Sequence, residues 1–131
     1  DMAGGEILLE IVIPSMLPHT GGAYIKHGRR EAMELPMLGV GVLLSLEEDM
    51  QICARARICL GVAAPTPLRC FQAENYLVGK TVDENTLAEA GRLAGEESRV
   101  RDSIRGLAWY RREMVGVLVK RMGLKALGRA K

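Results

Sequence analysis

Aromatic residues are scarce in this chain, with one Trp, one Phe and three Tyr among 131 residues. None of Tyr24, Phe71, Tyr76, Trp109 and Tyr110 alternates with basic residues along a strand pattern, so the stacking platform that holds single-stranded nucleic acid is missing. The three cysteines, Cys53, Cys59 and Cys70, are an odd number without a CxxC pair. That excludes a disulfide framework and a zinc knuckle and predicts reduced thiols in a cytoplasmic chain. His19 and His27 have no acidic or cysteine partner at ligand spacing, so no metal site is expected. The longest apolar stretch, Leu35 to Leu46, is broken by Pro36 and Ser45 and falls far short of the roughly 20 residues that cross a bilayer. No membrane span is expected. The opening residues lack the basic start and apolar run of a signal peptide, and a chain beginning at Asp1 is expected to be a fragment or to carry a tag remnant.

Catalytic motifs are missing too. There is no P-loop, GxGxxG, HExxH or nucleophile with a base at motif spacing, so no catalytic residue is assigned. Gly39-Val40-Gly41 lacks the third glycine of a dinucleotide loop, and Glu47-Glu48-Asp49 lacks calcium-loop spacing and reads as a solvated turn.

What is present describes one folded domain spanning 1–131. Apolar residues make up 48% and charged ones 26%, too hydrophobic for disorder, and a chain this long buries roughly two thirds of its surface around one core. The net charge of +2 hides an asymmetry. Arg99 to Lys131 carries ten basic residues against Asp102 and Glu113, an excess of eight, which leaves the remainder at −6. A basic last helix admits a nucleic-acid or interaction module as the alternative function, although it can equally pair with acids of its own chain or a partner.

Along the chain, Ile7, Leu9, Ile11 and Ile13 alternate with Glu6 and Glu10, which predicts a strand near 6–13 that ends at Pro14. Residues 14–23 read as a loop, Ala23 to Lys26 as a short extended piece, and His27 to Pro36 as irregular or one helical turn. Leu38, Val40, Val42, Leu44 and Leu46 give one face of a strand near 37–46. Ile52, Ala54, Ala56, Ile58, Leu60 and Val62 point inward from a second strand near 52–62, with Cys53, Arg55, Arg57 and Cys59 outward. Gly39 and Gly41 share the outer face of the first of these strands. They imply either a close approach by another backbone, domain or ligand, or a local twist or bulge.

The period then changes to helical. Thr66-Pro67 opens a short helix ended by Gly79, and Asp83 opens a second carrying Leu87, Ala90, Leu93 and Ala94. A third runs from Ile104 or Leu107 to about Leu127, with Leu107, Met114, Val115, Leu118, Met122 and Ala126 as its buried stripe. Three strands followed by three helices indicate an α+β fold, a three-stranded antiparallel sheet with the helices packed on one face. Arg111 and Arg112 point ~100° apart on the last helix, so one faces the basic surface while the other reaches back to a carboxylate or carbonyl; a structural ion pair and a ligand phosphate are the two readings.

Five pieces in register resemble a known family. They are Gly5 to Pro14, Ala23-Tyr24-Ile25-Lys26 with Arg29 to Pro36, Val40-Gly41-Val42, Leu60 to Arg69 with Leu77-Val78-Gly79, and Arg105 to Val115. Together they are similar to the C-terminal domain of the FAD-binding subunit of molybdenum hydroxylases, of the carbon monoxide dehydrogenase, xanthine dehydrogenase and aldehyde oxidase types, over residues 5–127. The resemblance implies an oxidoreductase subunit that is not catalytic alone. Electrons pass from a molybdopterin subunit through an iron-sulfur subunit to FAD and on to NAD, a quinone or oxygen. It implies FAD only with preceding FAD-binding domains that this chain does not contain; the short apolar stretches and the missing stacking platform, in turn, give no expectation of a membrane or nucleic-acid partner. This domain would brace the flavin, with Lys26 near the ring or its acceptor, the alternative being a solvated lysine at a strand end. Gly39, Gly41, Arg111 and Arg112 would face neighbouring domains or subunits.

Overall fold

In the computed structural model, which describes residues 3–30 and 33–131, four strands precede three helices. Strands β1 (Thr20–His27), β2 (Leu38–Leu46), β3 (Cys53–Gly61) and β4 (Leu68–Arg69) lie in chain order in one antiparallel sheet. Helices α1 (Phe71–Leu77), α2 (Glu84–Glu97) and α3 (Ala108–Ala130) follow. α3 packs on β1 and β2, α1 packs on β3, and α2 lies against both helices. One core joins Leu38, Val40, Val42 and Leu44 of β2 to Ile58 and Leu60 of β3, Leu77 and Leu87 of α1 and α2, and Val115, Leu118 and Met122 of α3. The α+β reading holds, with a sheet of four strands rather than three.

The strand expected near 6–13 does not form. Ile7, Leu9, Ile11 and Ile13 are 76–92% exposed, and the segment is irregular and outside the sheet. A period-2 pattern describes side chains, whereas a strand exists only where a neighbour completes its ladder, and the free edge of β2 is taken by β1. β1 is the extended piece at Ala23–Lys26 lengthened at both ends. Its start hides in the Gly21-Gly22 pair, and Gly21 is required because the α3 backbone at Ala126 and Ala130 crosses directly over it. The helical-turn alternative for 27–36 falls partly on residues 31 and 32, outside the described residues; His27 ends β1 and the other described positions are irregular.

The β2–β3 hairpin forms as expected, with a correction at its turn end. Ser45 pairs with Arg55 but Leu46 pairs with Cys53, so β3 carries an extra residue there. Such a bulge reverses the alternation behind it. Cys53 is therefore fully buried and Ala54 exposed, opposite to the alternation read from the sequence, while Ala56, Ile58 and Leu60 keep their inward positions. At the other end Val62 adopts φ +62° and is exposed rather than inward.

Thr66-Pro67 precedes β4, not a helix. Two residues of β4 pair with Cys59 and Leu60 before the chain turns into α1 at Cys70. α2 starts as read, at a reciprocal cap in which Asp83 accepts from the Thr86 N–H and Thr86 Oγ1 accepts from the Asp83 N–H. α3 buries Val115, Leu118, Met122 and Ala126 as expected, adds Arg111 and Val119, and leaves Leu107 exposed at its N-cap.

Candidate functional site

The helix-free face of the sheet follows from the phases of its strands. Because Ala23 points into the core, Gly22, Tyr24 and Lys26 of β1 point away from it. Register then aligns them with glycines. Lys26 stands opposite Gly39, which stands opposite Gly61, and Tyr24 stands opposite Gly41, which stands opposite Cys59. A Cβ on Gly39 would lie 3.0 Å from the Tyr24 hydroxyl, and one on Gly41 would lie 3.7 Å from its ring. The close neighbour of these glycines within the chain is thus the Tyr24 ring, which remains 69% exposed on its other side.

This face is also one-signed. The four strands contain no Asp or Glu, while Lys26, Arg55 and Arg57 are exposed on them. Lys26 has no ion-pair partner among the described residues. The result is a flat, positively charged surface floored by three glycines with one phenol ring lying across it. The exposed side of that ring, with the Lys26 ammonium nearby, suits a planar anionic group.

Nucleophilic chemistry is absent from the buried thiols. Burial pushes the Cys53 thiol up to about 11 and the Cys70 thiol to about 12, so both stay protonated and unreactive near neutrality. Cys59 is exposed on the glycine face. Among the described residues no three metal-ligating side chains converge, and no helix is long and apolar enough to cross a membrane.

Glu74 has a role that the sequence did not single out. It is buried, and its carboxylate accepts from the Ile58 N–H at 2.8 Å and from Arg69 Nε at 2.6 Å. It thereby completes the ladder of β3 where β4 ends. The only signal was a glutamate in α1 five residues after Arg69 of β4.

The remaining predicted residues lie elsewhere. Arg111 is buried at 3% exposure, donating to Ser103 Oγ at 2.7 Å and to the Arg101 carbonyl at 3.3 Å, so it reaches a carbonyl and a hydroxyl rather than a carboxylate. Arg112 is exposed and lines the groove between α2 and α3 with Gly95 and Gly116. Lys26, Gly39 and Gly41 are therefore brought together on one face, while Arg111 and Arg112 face two other places. The basic residues of α3 do not form one stripe, because Arg111 is inside, Lys120 pairs with Glu84 at 2.6 Å and Arg129 donates to the Gly22 carbonyl at 2.6 Å.

Comparison with known proteins gives a consistent result. The chain is 32% identical over 127 residues to the alpha subunit of the 6-hydroxypseudooxynicotine dehydrogenase complex of Paenarthrobacter nicotinovorans, covering 97% of this chain and 42% of that one. It is 27% identical over 126 residues to the xanthine dehydrogenase FAD-binding subunit of Escherichia coli, covering 95% of this chain and 42% of the relative. Carbon monoxide dehydrogenase from Hydrogenophaga pseudoflava, solved in a form lacking the Mo-pyranopterin moiety of its cofactor, superposes with a TM-score of 0.82. The identity is 30%, over 89% of this chain and 40% of that one. The chain thus spans about two fifths of the length of the relatives it matches. Residues 23–126, from β1 nearly to the end of α3, match the CO dehydrogenase flavoprotein C-terminal domain, and the chain belongs to that family.

Proposed function

We propose that this chain is the C-terminal part of a flavoprotein subunit in a molybdenum-containing hydroxylase or dehydrogenase, where it braces the FAD-binding domains. The observation that carries the reading is the exposed Lys26 ammonium beside the Gly39–Gly61 floor on a sheet face without a carboxylate. The residues present fit the ring end of a flavin and not its pyrophosphate. The exposed side of the Tyr24 ring and the ammonium beside it suit a planar ring, whereas no glycine-rich loop leading into a helix N-terminus occurs among the described residues to cradle phosphates. The phosphates of FAD would be held by the preceding domains of the complete subunit.

FAD, when bound, would relay electrons from the molybdopterin and iron-sulfur subunits to an external acceptor. This chain's own residues do simpler things. Lys26 would set a positive charge beside the ring and favour the negative charge of its reduced form. The Tyr24 ring, lying over Gly41 and Gly39, would exclude water from that side of the row. Gly39, Gly41, Arg111 and Arg112 are the proposed contacts to neighbouring domains and subunits, Arg111 acting through the 101–103 segment that it holds. Substrate choice would belong to the molybdenum subunit.

Lys26→Ala in the complete enzyme tests the reading. Assembly and flavin content should be unchanged, the flavin potential should fall and electron delivery to the acceptor should slow. Unchanged potential and acceptor kinetics would remove Lys26 from the flavin's surroundings. A full-length subunit that assembles and turns over without FAD would overturn the brace itself.

A further inference from the structure

Between the β3–β4 connection and the segment leading into α3 lies a cavity of about 610 Å³. Arg99, Arg101, Arg105 and Arg111 line it together with the hydroxyl-bearing Thr66 and Ser103, and no Asp or Glu contributes to its wall. We propose that this cavity is a binding site for the phosphoryl group of a small molecule, either free pyrophosphate or phosphate or the phosphates of a nucleotide. The inference does not depend on the placement of Lys26, because the cavity shares no lining residue with that face; with the reading above it shares only Arg111 and the 101–103 segment.

Charge is the first argument. Four arginines line one cavity, so their like charges repel, and no acid in its wall offsets them. The acid nearest in sequence, Asp102, is turned to α3, where its carboxylate accepts from the Ala108 N–H at 2.6 Å. A multivalent anion would turn this repulsion into attraction, and guanidinium forks match phosphate oxygens with paired, charge-assisted hydrogen bonds.

Construction is the second argument. Arg111 is fixed by the Ser103 hydroxyl and the Arg101 carbonyl, so the residue that closes the cavity also shapes the loop bearing its other arginines. The Nε–H of Arg111 is buried without an acceptor, the sole such side-chain atom among the described residues. On the opposite wall Pro65 and Pro67 flank Thr66, and Val62 sits at φ +62°, a backbone region that a β-branched residue enters only when its surroundings hold it there. The volume lies inside the ~300–1,000 Å³ range of small-molecule sites.

Calorimetric titration of the 131-residue chain in phosphate-free buffer at low salt tests this with inorganic phosphate, pyrophosphate, ADP and, as control, adenosine. Pyrophosphate and ADP should bind at one site and adenosine should not. ADP binding more tightly than pyrophosphate would assign the site to a nucleotide, and equal or weaker binding to the free phosphoryl anion. Arg101→Gln and Arg105→Gln, whose side chains carry no internal hydrogen bond among the described residues, should each weaken binding about tenfold or more with unchanged circular dichroism. Arg112→Gln, outside the cavity, should leave it unaltered. Absence of binding by every phosphoryl compound, or equal affinity in the Arg101→Gln/Arg105→Gln double variant, would overturn the proposal.

Discussion

Gly91 of α2 and Gly116 of α3 bring two helix backbones into direct contact: a Cβ on Gly91 would lie 2.5 Å from the Gly116 carbonyl oxygen. Helix propensity favours Ala over Gly by ~1 kcal/mol, but here the added methyl has no space and the helices must separate. Gly91→Ala should therefore lower stability by about 1–3 kcal/mol net, read as a fall in the urea midpoint with an unchanged slope. Gly128→Ala, with nothing within 4 Å of the added atom, should be neutral or slightly stabilising. A stabilised Gly91→Ala chain would show that α2 and α3 are not in contact there.

Glu74 joins strand and helix through one carboxylate. Glu74→Ala strips the Ile58 N–H of its acceptor and leaves Arg69 unpaired, at a cost of about 2–3 kcal/mol. The figure is held down because the Arg69 side chain is 33% exposed and partly screened by water. Arg69→Ala, which leaves the Ile58 N–H bonded, should cost clearly less. Equal losses in the two variants would assign the effect to the ion pair alone.

Acid sensitivity follows from the caps. Hydrogen bonds from Thr86 hold the Asp83 carboxyl below its ordinary value, and those from Gln51 and Ile52 do the same for Asp49 in the hairpin turn. The folded chain thus binds these protons less readily than the unfolded chain. The stabilisation is complete above the unfolded value of about 3.8 and disappears as pH falls through the lower folded values. Asp83→Asn/Asp49→Asn keeps the cap geometry but cannot titrate, so its melting temperature should drop less than that of the parent between about pH 6 and pH 3. Equal drops in both proteins would contradict the assignment.

Thiol accessibility provides a structural check on the bulge. With Cys53 and Cys70 buried and their thiols pushed up by that burial, a disulfide reagent at about pH 8 should modify Cys59 quickly and the other two only on unfolding. Peptide mapping identifies the site. Fast labelling of Cys53 would mean that β3 keeps a regular alternation through Ala54.

Those elements that were legible from the chain are the ones whose pattern is long and uninterrupted. The hairpin has five inward residues on one strand, and α2 has Asp83 three residues before Thr86, so phase and cap agree. The bulge at Ser45/Leu46 left no local mark, since alanine fits either face and Cys53 is as readily buried as exposed. β4 is too short for any period, and β1 begins in a glycine pair whose reason is the crossing of α3, a contact made a hundred residues away. The same division holds for sites. Lys26, Gly39 and Gly41 came together because strand phase and register fix which residues share a face. The arginine cavity joins the β3–β4 connection to the segment before α3, and only tertiary folding makes those neighbours.

The irregular run at 6–17 gives this chain a liability that its folded part does not have. Ile7, Leu8, Leu9, Ile11, Val12 and Ile13 are bare apolar side chains on a backbone that pairs with no strand among the described residues. Such a segment can add as a strand between molecules. Left uncovered, it should make self-association rise with concentration even while the core stays intact, and cutting the chain ahead of Thr20 should abolish that association without altering the melting of the sheet and helices.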